Sequence, residues 1–413
     1  MRRGAYRFAG VLETARAPSR RATLTLSLAG LLWAQGADAG PTFKIDDTKW
    51  AKLGVGARGS FAAREDGAGT NGDEWSKDFN LDNARIYLSG QIHQYVKLEV
   101  NTECVFCGDG DLQEFVVLDA IGKLEFTPYF NIWGGRLLVP SDRAEMDGPF
   151  YANVYEGFKT PFYPSDFSVQ FGSGGAGVYG RDHGVNLWGN AGPEGRLKYV
   201  FGAFNGLRGL SNPDDNPLFG VRLAYQFLGI EDNPAYYTSS TYYGGGGDVL
   251  TVGYALQYQA DGSGSALHPG DFLGTSVDVL FEKPLGDAGA VTVEGEYKYF
   301  DSDYDLAAFS DEGGCFCMFD GDAFTATALY LLPAKVGIGK FQPYVRYTDI
   351  EPDHSSSRDE FESGVNYVID GHNARLSLYF QHGDLATKSL VNFAPDVTGD
   401  DVSAVKIAIQ LQI

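Results

Sequence analysis

The feature that most constrains this chain is a period-2 alternation of apolar and polar residues, in segments of about ten, repeated to its C-terminus. In the last segment Val405, Ile407, Ile409, Leu411 and Ile413 fall on one face; Lys406, Ala408, Gln410 and Gln412 fall on the other. Phe219, Val221, Leu223, Tyr225 and Phe227 alternate in the same way with Gly220, Arg222, Ala224 and Gln226. Switching face at every residue is the geometry of a strand, not of a helix. One face is apolar or aromatic, and the other is small, polar or charged.

The alternation predicts about sixteen strands, at 51–61, 80–92, 95–103, 114–126, 129–138, 183–191, 196–205, 217–228, 248–259, 272–283, 290–300, 321–332, 339–348, 358–369, 373–382 and 402–413. Many exceed the usual five or six residues. Tyr and Phe cluster near their ends, as membrane-interface girdles do. The connectors alternate in length as well. Short ones fall near His93, Pro128, Gly192, Gly286 and Gly371; long acidic or Gly-rich ones span 62–80, 141–182, 260–271, 301–320 and 383–401. The expected fold is therefore all-β: a transmembrane antiparallel β-barrel with short periplasmic turns and long external loops. Secreted sandwiches and propellers also alternate and are the competing architectures. One connector breaks the pattern, because 229–247 is long where a short turn is expected.

Mean hydropathy is −0.19, which is no obstacle, since a spanning strand with a polar lumen face is only half apolar. The first 39 residues read as a cleaved secretory signal. Six arginines precede the apolar run at 22–34, and Ala37, Asp38 and Ala39 supply the small-x-small cleavage pattern. Residues 40–413 then form a single barrel in the bacterial outer membrane, with lipid as its surroundings. Without the leader's six arginines and two acids, 26 basic and 52 acidic residues remain, a formal net charge of −26. So acidic a chain is a poor partner for nucleic acid.

The longest connector, 141–182, follows the fifth strand and is placed to fold into the barrel. Arg136, Asp142, Arg143, Glu145, Asp147, Arg181 and Asp182 would then line a pore constriction and select by charge. Alternatively, Arg143 and Arg181 pair with neighbouring carboxylates and pin the loop. The two roles are compatible.

The runs GGRLLVPSDRAEMDGPFY (134–151) and YGRDHGVNLWG (179–189) resemble the phosphate-selective porin O/P family and related sixteen-stranded porins. They are similar in particular to the porin portion of the cytochrome–porin fusions of iron-oxidising bacteria. The anomalous connector, within FLGIEDNPAYYTSSTYYGG (227–245), also resembles that group. The resemblance implies a homotrimeric diffusion pore for small hydrophilic solutes or ions. It also leaves open a porin-like sheath that docks redox partners. The fusions carry a haem-binding C-x-x-C-H, whereas here Cys104 and Cys107 are followed by Gly108, so no covalent haem and no other cofactor is expected.

Net charge does not decide which ion passes, because selectivity depends on charge in the bore. The alternation turns Arg58, Arg85, Lys97, Arg222, Arg346 and Arg375 inward, with Lys123, Arg136, Lys198, Lys298 and Lys406. Inward acids are Glu99, Asp119, Glu125, Asp278, Glu282, Glu294, Glu296 and Glu362. Eleven against eight makes a nearly balanced, slightly basic wall and allows a weak anion preference. Cys104 and Cys107, and Cys315 and Cys317, fall in external connectors. Disulfides are the expectation for an exported chain, a four-sulfur metal site the alternative. No H-E-x-x-H or G-x-S-x-G pattern occurs among the scattered histidines and serines, so no enzyme is expected.

Overall fold

A computed structural model describes residues 40–105, 114–162, 180–317, 319–385, 393–395 and 397–413. The leader, Cys107 and most of the second half of the 141–182 connector lie outside the described residues.

Sixteen long strands follow one another around a closed antiparallel sheet. They are β1 Trp50–Ala68, β2 Glu74–His93, β3 Val96–Val105, β4 Glu114–Thr127, β5 Phe130–Leu138, β6 Arg181–Ala191, β7 Leu197–Phe204 and β8 Leu218–Gln226. There follow β9 Val249–Ser265, β10 Pro269–Pro284, β11 Ala290–Asp301, β12 Gly321–Leu331, β13 Gly339–Pro352, β14 Arg358–Asp370, β15 Ala374–Asp384 and β16 Asp401–Gln412. Each strand pairs with its neighbours in sequence, and β16 closes on β1 from Ala404↔Arg64 to Gln412↔Gly56. Ile413 and Val55 add two backbone hydrogen bonds of 2.9 Å at the seam. Closure gives each long strand a neighbour on both sides among the described residues, which is what a sheet in hydrocarbon requires.

The face assignment follows the alternation. On β16, Ile407 and Leu411 are about half exposed, whereas Ala408 and Gln410 between them are buried. Leu53, Val55, Ile86, Leu88, Val277, Val345 and Leu378 continue the apolar exterior around the barrel. Such a belt is stable in lipid and costly in water. No helix among the described residues is long and apolar enough to cross a membrane.

Every predicted strand lies on an observed one, but five, β1, β2, β9, β10 and β13, run on by three residues or more beyond the alternation. The β1–β2 ladder continues to Ala68↔Glu74, and the β9–β10 ladder to Gly264↔Pro269. Most of the loops expected at 62–80 and 260–271 are therefore strand. Beyond the bilayer no face has to meet lipid, so backbone pairing goes on without an apolar face to mark it. Three short pieces, Thr42–Lys44, Cys315–Phe316 and Lys335–Val336, pair at the margins of the sheet.

The buried apolar core lies inside the barrel. Trp133 on β5, Trp188 on β6, Met146 and Tyr236 form one cluster, so chain other than the wall occupies the lumen.

Candidate functional site

The connector after β5 turns inward. Asp142 caps a short helix, α1, Arg143–Tyr151, by accepting from the Glu145 backbone N–H at 3.0 Å. Gly148 breaks α1 with φ +67°, a conformation that costs glycine little, and Pro149 follows it. The break aims Phe150 at the β1–β2 wall, where Arg85 lies 5.2 Å from its ring and Tyr87 meets it edge-on at 6.3 Å. Gly56 makes room, because a Cβ there would sit 2.8 Å from the Phe150 ring.

Irregular backbone at membrane depth needs partners for its carbonyls, and lumen side chains supply them. Arg375 donates to the carbonyls of Ala152, Asn153 and Val154 at 2.9, 3.1 and 3.3 Å. Gln410 donates to Phe150 at 2.8 Å, Arg222 to Ser141 at 2.9 Å and Gln257 to Pro140 at 2.9 Å. Arg58 stacks 4.0 Å over the Tyr155 ring and donates to its carbonyl; Arg346 donates to that of Glu156.

Charge pairs fasten the same segment. Lys298 on β11 meets Asp142 at 2.7 Å, Glu145 at 3.0 Å and Glu296 at 3.3 Å. One cation cannot neutralise three carboxylates. Burial and the adjacent Asp142 hold the Glu145 carboxyl well above its ordinary range, against Lys298. Burial and Glu294 do the same to Asp147. Glu156 behaves oppositely: burial would raise it, but Lys159 at 2.9 Å and Lys406 hold it well below. Lys159 reaches Glu360 on β14 at 2.6 Å.

The 229–247 connector also enters the lumen, although the sequence marks it only as an anomaly of length. Glu231 makes a two-pronged pair with Arg143 of α1, both contacts 2.8 Å. Burial would raise the Glu231 carboxyl, but Arg143 pulls it down to about 2. Arg143 donates further to Ser239 O at 2.7 Å, while Thr238 Oγ1 donates to Arg143 O at 2.8 Å and Ser240 N to Tyr151 O at 3.1 Å. Ser240 Oγ also bonds Asp147. The two inward segments are thus joined to each other.

The expected site residues sort into groups. Asp142, Arg143, Glu145 and Asp147 converge in the lumen. Arg136, Arg181 and Asp182 belong to the β5–β6 wall. Arg136 Nε donates to Val117 O at 2.9 Å, Arg181 pairs with Asp119 at 3.0 Å, and Asp182 accepts from Gly206 N at 2.6 Å. Arg181 and Asp182 begin β6 and are not part of the loop, because their pairing with β5 runs to Leu138↔Arg181. Arg58, Arg85, Arg222, Arg346 and Arg375 face inward but are buried; Arg85 pairs with Glu103 and Arg346 with Glu362. Lys97 differs: its side chain is 29% exposed and pairs with Glu125, and beside it the more buried Lys123 pairs with Glu99. Cys315 is bonded to Cys317, and Cys104 is disulfide-bonded too. No group of three or more metal-ligating side chains is found among the described residues.

No family model and no curated protein matches this chain. Solved structures do. An anion-selective porin from Comamonas acidovorans aligns with a TM-score of 0.54 at 16% identity, over 88% of this chain and 100% of that one. The outer-membrane channel DcaP of Acinetobacter baumannii aligns at 0.52 and 12%, over 91% and 100%. The fold is that of an outer-membrane porin barrel. OprB of Pseudomonas putida adds a TM-score of 0.53 at 9% identity, over 88% and 94%. At these identities the likeness is one of fold, and function has to be argued from the lumen.

Proposed function

We propose that the protein is a passive outer-membrane pore for small hydrophilic solutes or ions, exported with cleavage of residues 1–39 and assembled as a homotrimer. The observation that carries this reading is a charged lumen wall narrowed by a segment entering after β5. Asp142, Arg143, Glu145 and Asp147 form the constriction, while Arg136, Arg181 and Asp182 brace the wall from which it springs. Partly exposed Lys97, with Lys123 beside it and their carboxylate partners, lines the periplasmic mouth. Lys198 makes no salt bridge among the described residues, and its charge adds to the basic side of the lumen wall. A weak anion preference follows.

Planar-bilayer recording of the purified protein tests this. The expected result is current proportional to salt, with a reversal potential in a KCl gradient on the chloride side. A barrel shown to be folded by its heat-shifted gel mobility, yet silent at every voltage, would refute the pore.

A further inference from the structure

We infer that the 229–247 connector is a second barrier across the bore, at the periplasmic end, and that it limits conductance jointly with the constriction; this rests on the pore reading above. Joining β8 to β9 needs about two to five residues, as in other hairpins, and this connector is far longer. The excess is spent on reaching distant parts of the wall. At β5–β6, Tyr236 packs 5.1 Å from Trp133, and its hydroxyl accepts from Asn186 at 2.9 Å. At β10–β11, Glu282 accepts from Thr241 Oγ1, Tyr242 N and Gly244 N at 2.8, 2.9 and 2.8 Å, and Ser240 reaches Glu294 at 2.7 Å. In the β14–β15 turn, His372 Nε2 lies 2.9 Å from Thr241 O and 3.1 Å from Ser239 Oγ.

These anchors stand three or more strands apart around a sixteen-stranded barrel. A segment tied to all three arcs passes over the bore instead of following one wall. Between it and the β7–β9 wall, Lys198, Arg222, Gln226 and Thr251 face Asn233 and Tyr236 across a cavity with room for only about one or two waters. A hydrated solute does not fit that gap. With Glu231 spent on Arg143 and Asp278 on Arg222, Lys198 is the cation of the gap without a bonded acid among the described residues.

The test is a variant in which 232–246 is replaced by an Asn-Gly turn, recorded beside the full chain. The expected result is a single-channel conductance several-fold higher and a reversal potential closer to zero. A folded variant that conducts as the full chain does overturns the barrier and leaves the pore standing. A silent full chain beside a conducting variant overturns the pore and keeps the barrier; silence in both overturns both. A second variant guards against misfolding of the first. Asn233→Cys places one thiol at the cavity while the native cysteines among the described residues are bonded. A methanethiosulfonate reagent added on the periplasmic side is expected to reduce the current; unchanged current through protein shown by mass to be labelled overturns the barrier.

Discussion

The two segments inside the barrel are held by different chemistry. The one after β5 is fixed chiefly by charge: Lys298 against Asp142, Glu145 and Glu296, and Glu156 between Lys159 and Lys406. The 229–247 connector has one buried ion pair, Arg143–Glu231, and otherwise relies on uncharged hydroxyl, amide and imidazole groups, several of them donating to the Glu282 and Glu294 carboxyls, and on aromatic packing. Buried ion pairs contribute little net stability but are expensive to break on one side. A single hydrogen bond from an uncharged donor costs less when lost, about 0.5–1.5 kcal/mol, or about 1.5–3 kcal/mol where the acceptor is charged. Point changes should therefore damage the first segment more than the second.

The largest effect is expected from Lys298→Ala. It leaves three carboxylates together in a buried site, and cutting one side of such a network costs about 3–5 kcal/mol. The denaturant midpoint of the folded barrel should fall, and conductance should rise as the constriction detaches. Lys298→Arg should restore most of both. An alanine variant as stable as the parent would remove the contrast between the two segments.

Proton uptake separates them next. Glu145 and Asp147 have raised pKa values, so the stability they contribute is present in acid and is lost as pH rises through those values. His372 and Glu231 run the other way. Burial and the nearby Arg375 hold the imidazole down to about 3, and Glu231 stands at about 2. Their contribution is present above the unfolded values near 6.5 and 4.5, and is lost as pH falls towards 3 and 2. Above the range in which Glu231 and Asp142 take up protons, hydrogen exchange, corrected for intrinsic rate, is expected to show protection at 229–247 falling on acidification as His372 charges, while protection at 142–151 rises. His372→Gln should flatten the first trend over the upper part of that window. Movement of both segments in the same direction would defeat the argument.

What was legible in the sequence divides along similar lines. All sixteen strands could be read, because a strand with one face in lipid and one in a wet lumen must alternate, and alternation is local. The external extensions of β1, β2, β9, β10 and β13 were hidden because past the bilayer neither face has to be apolar. The inward turn after β5 showed itself through its length and charged residues. Its anchors did not: Arg375 holds carbonyls more than two hundred positions away, and no local pattern encodes a guanidinium reaching for a backbone oxygen. For the same reason Arg58, Arg346 and Arg375 read as lumen cations when they are ties for the inserted chain. The connector's length was visible, and its run of Tyr, Ser and Thr suited burial against polar wall residues. Its path across the bore emerged only once Glu282, His372 and Trp133 were placed in the closed sheet.

The smallest effect sharpens the division between ties and selectors. Of the two lysines at the periplasmic mouth, Lys123 is buried 3.7 Å over the Trp133 ring, whereas Lys97 is partly open to water in its pair with Glu125. Water screens such a pair, so Lys97→Gln should cost no more than about 1 kcal/mol. The charge it removes nevertheless faces the aqueous mouth, where a fixed ammonium attracts anions and repels cations within a Debye length of about 8 Å. The reversal potential should move towards cations with conductance nearly unchanged, and the shift should shrink as salt is raised. An equal shift from Arg375→Gln, whose guanidinium is buried against backbone carbonyls, would mean that tied and exposed cations are felt alike by the permeating ion, and the distinction between ties and selectors would fall.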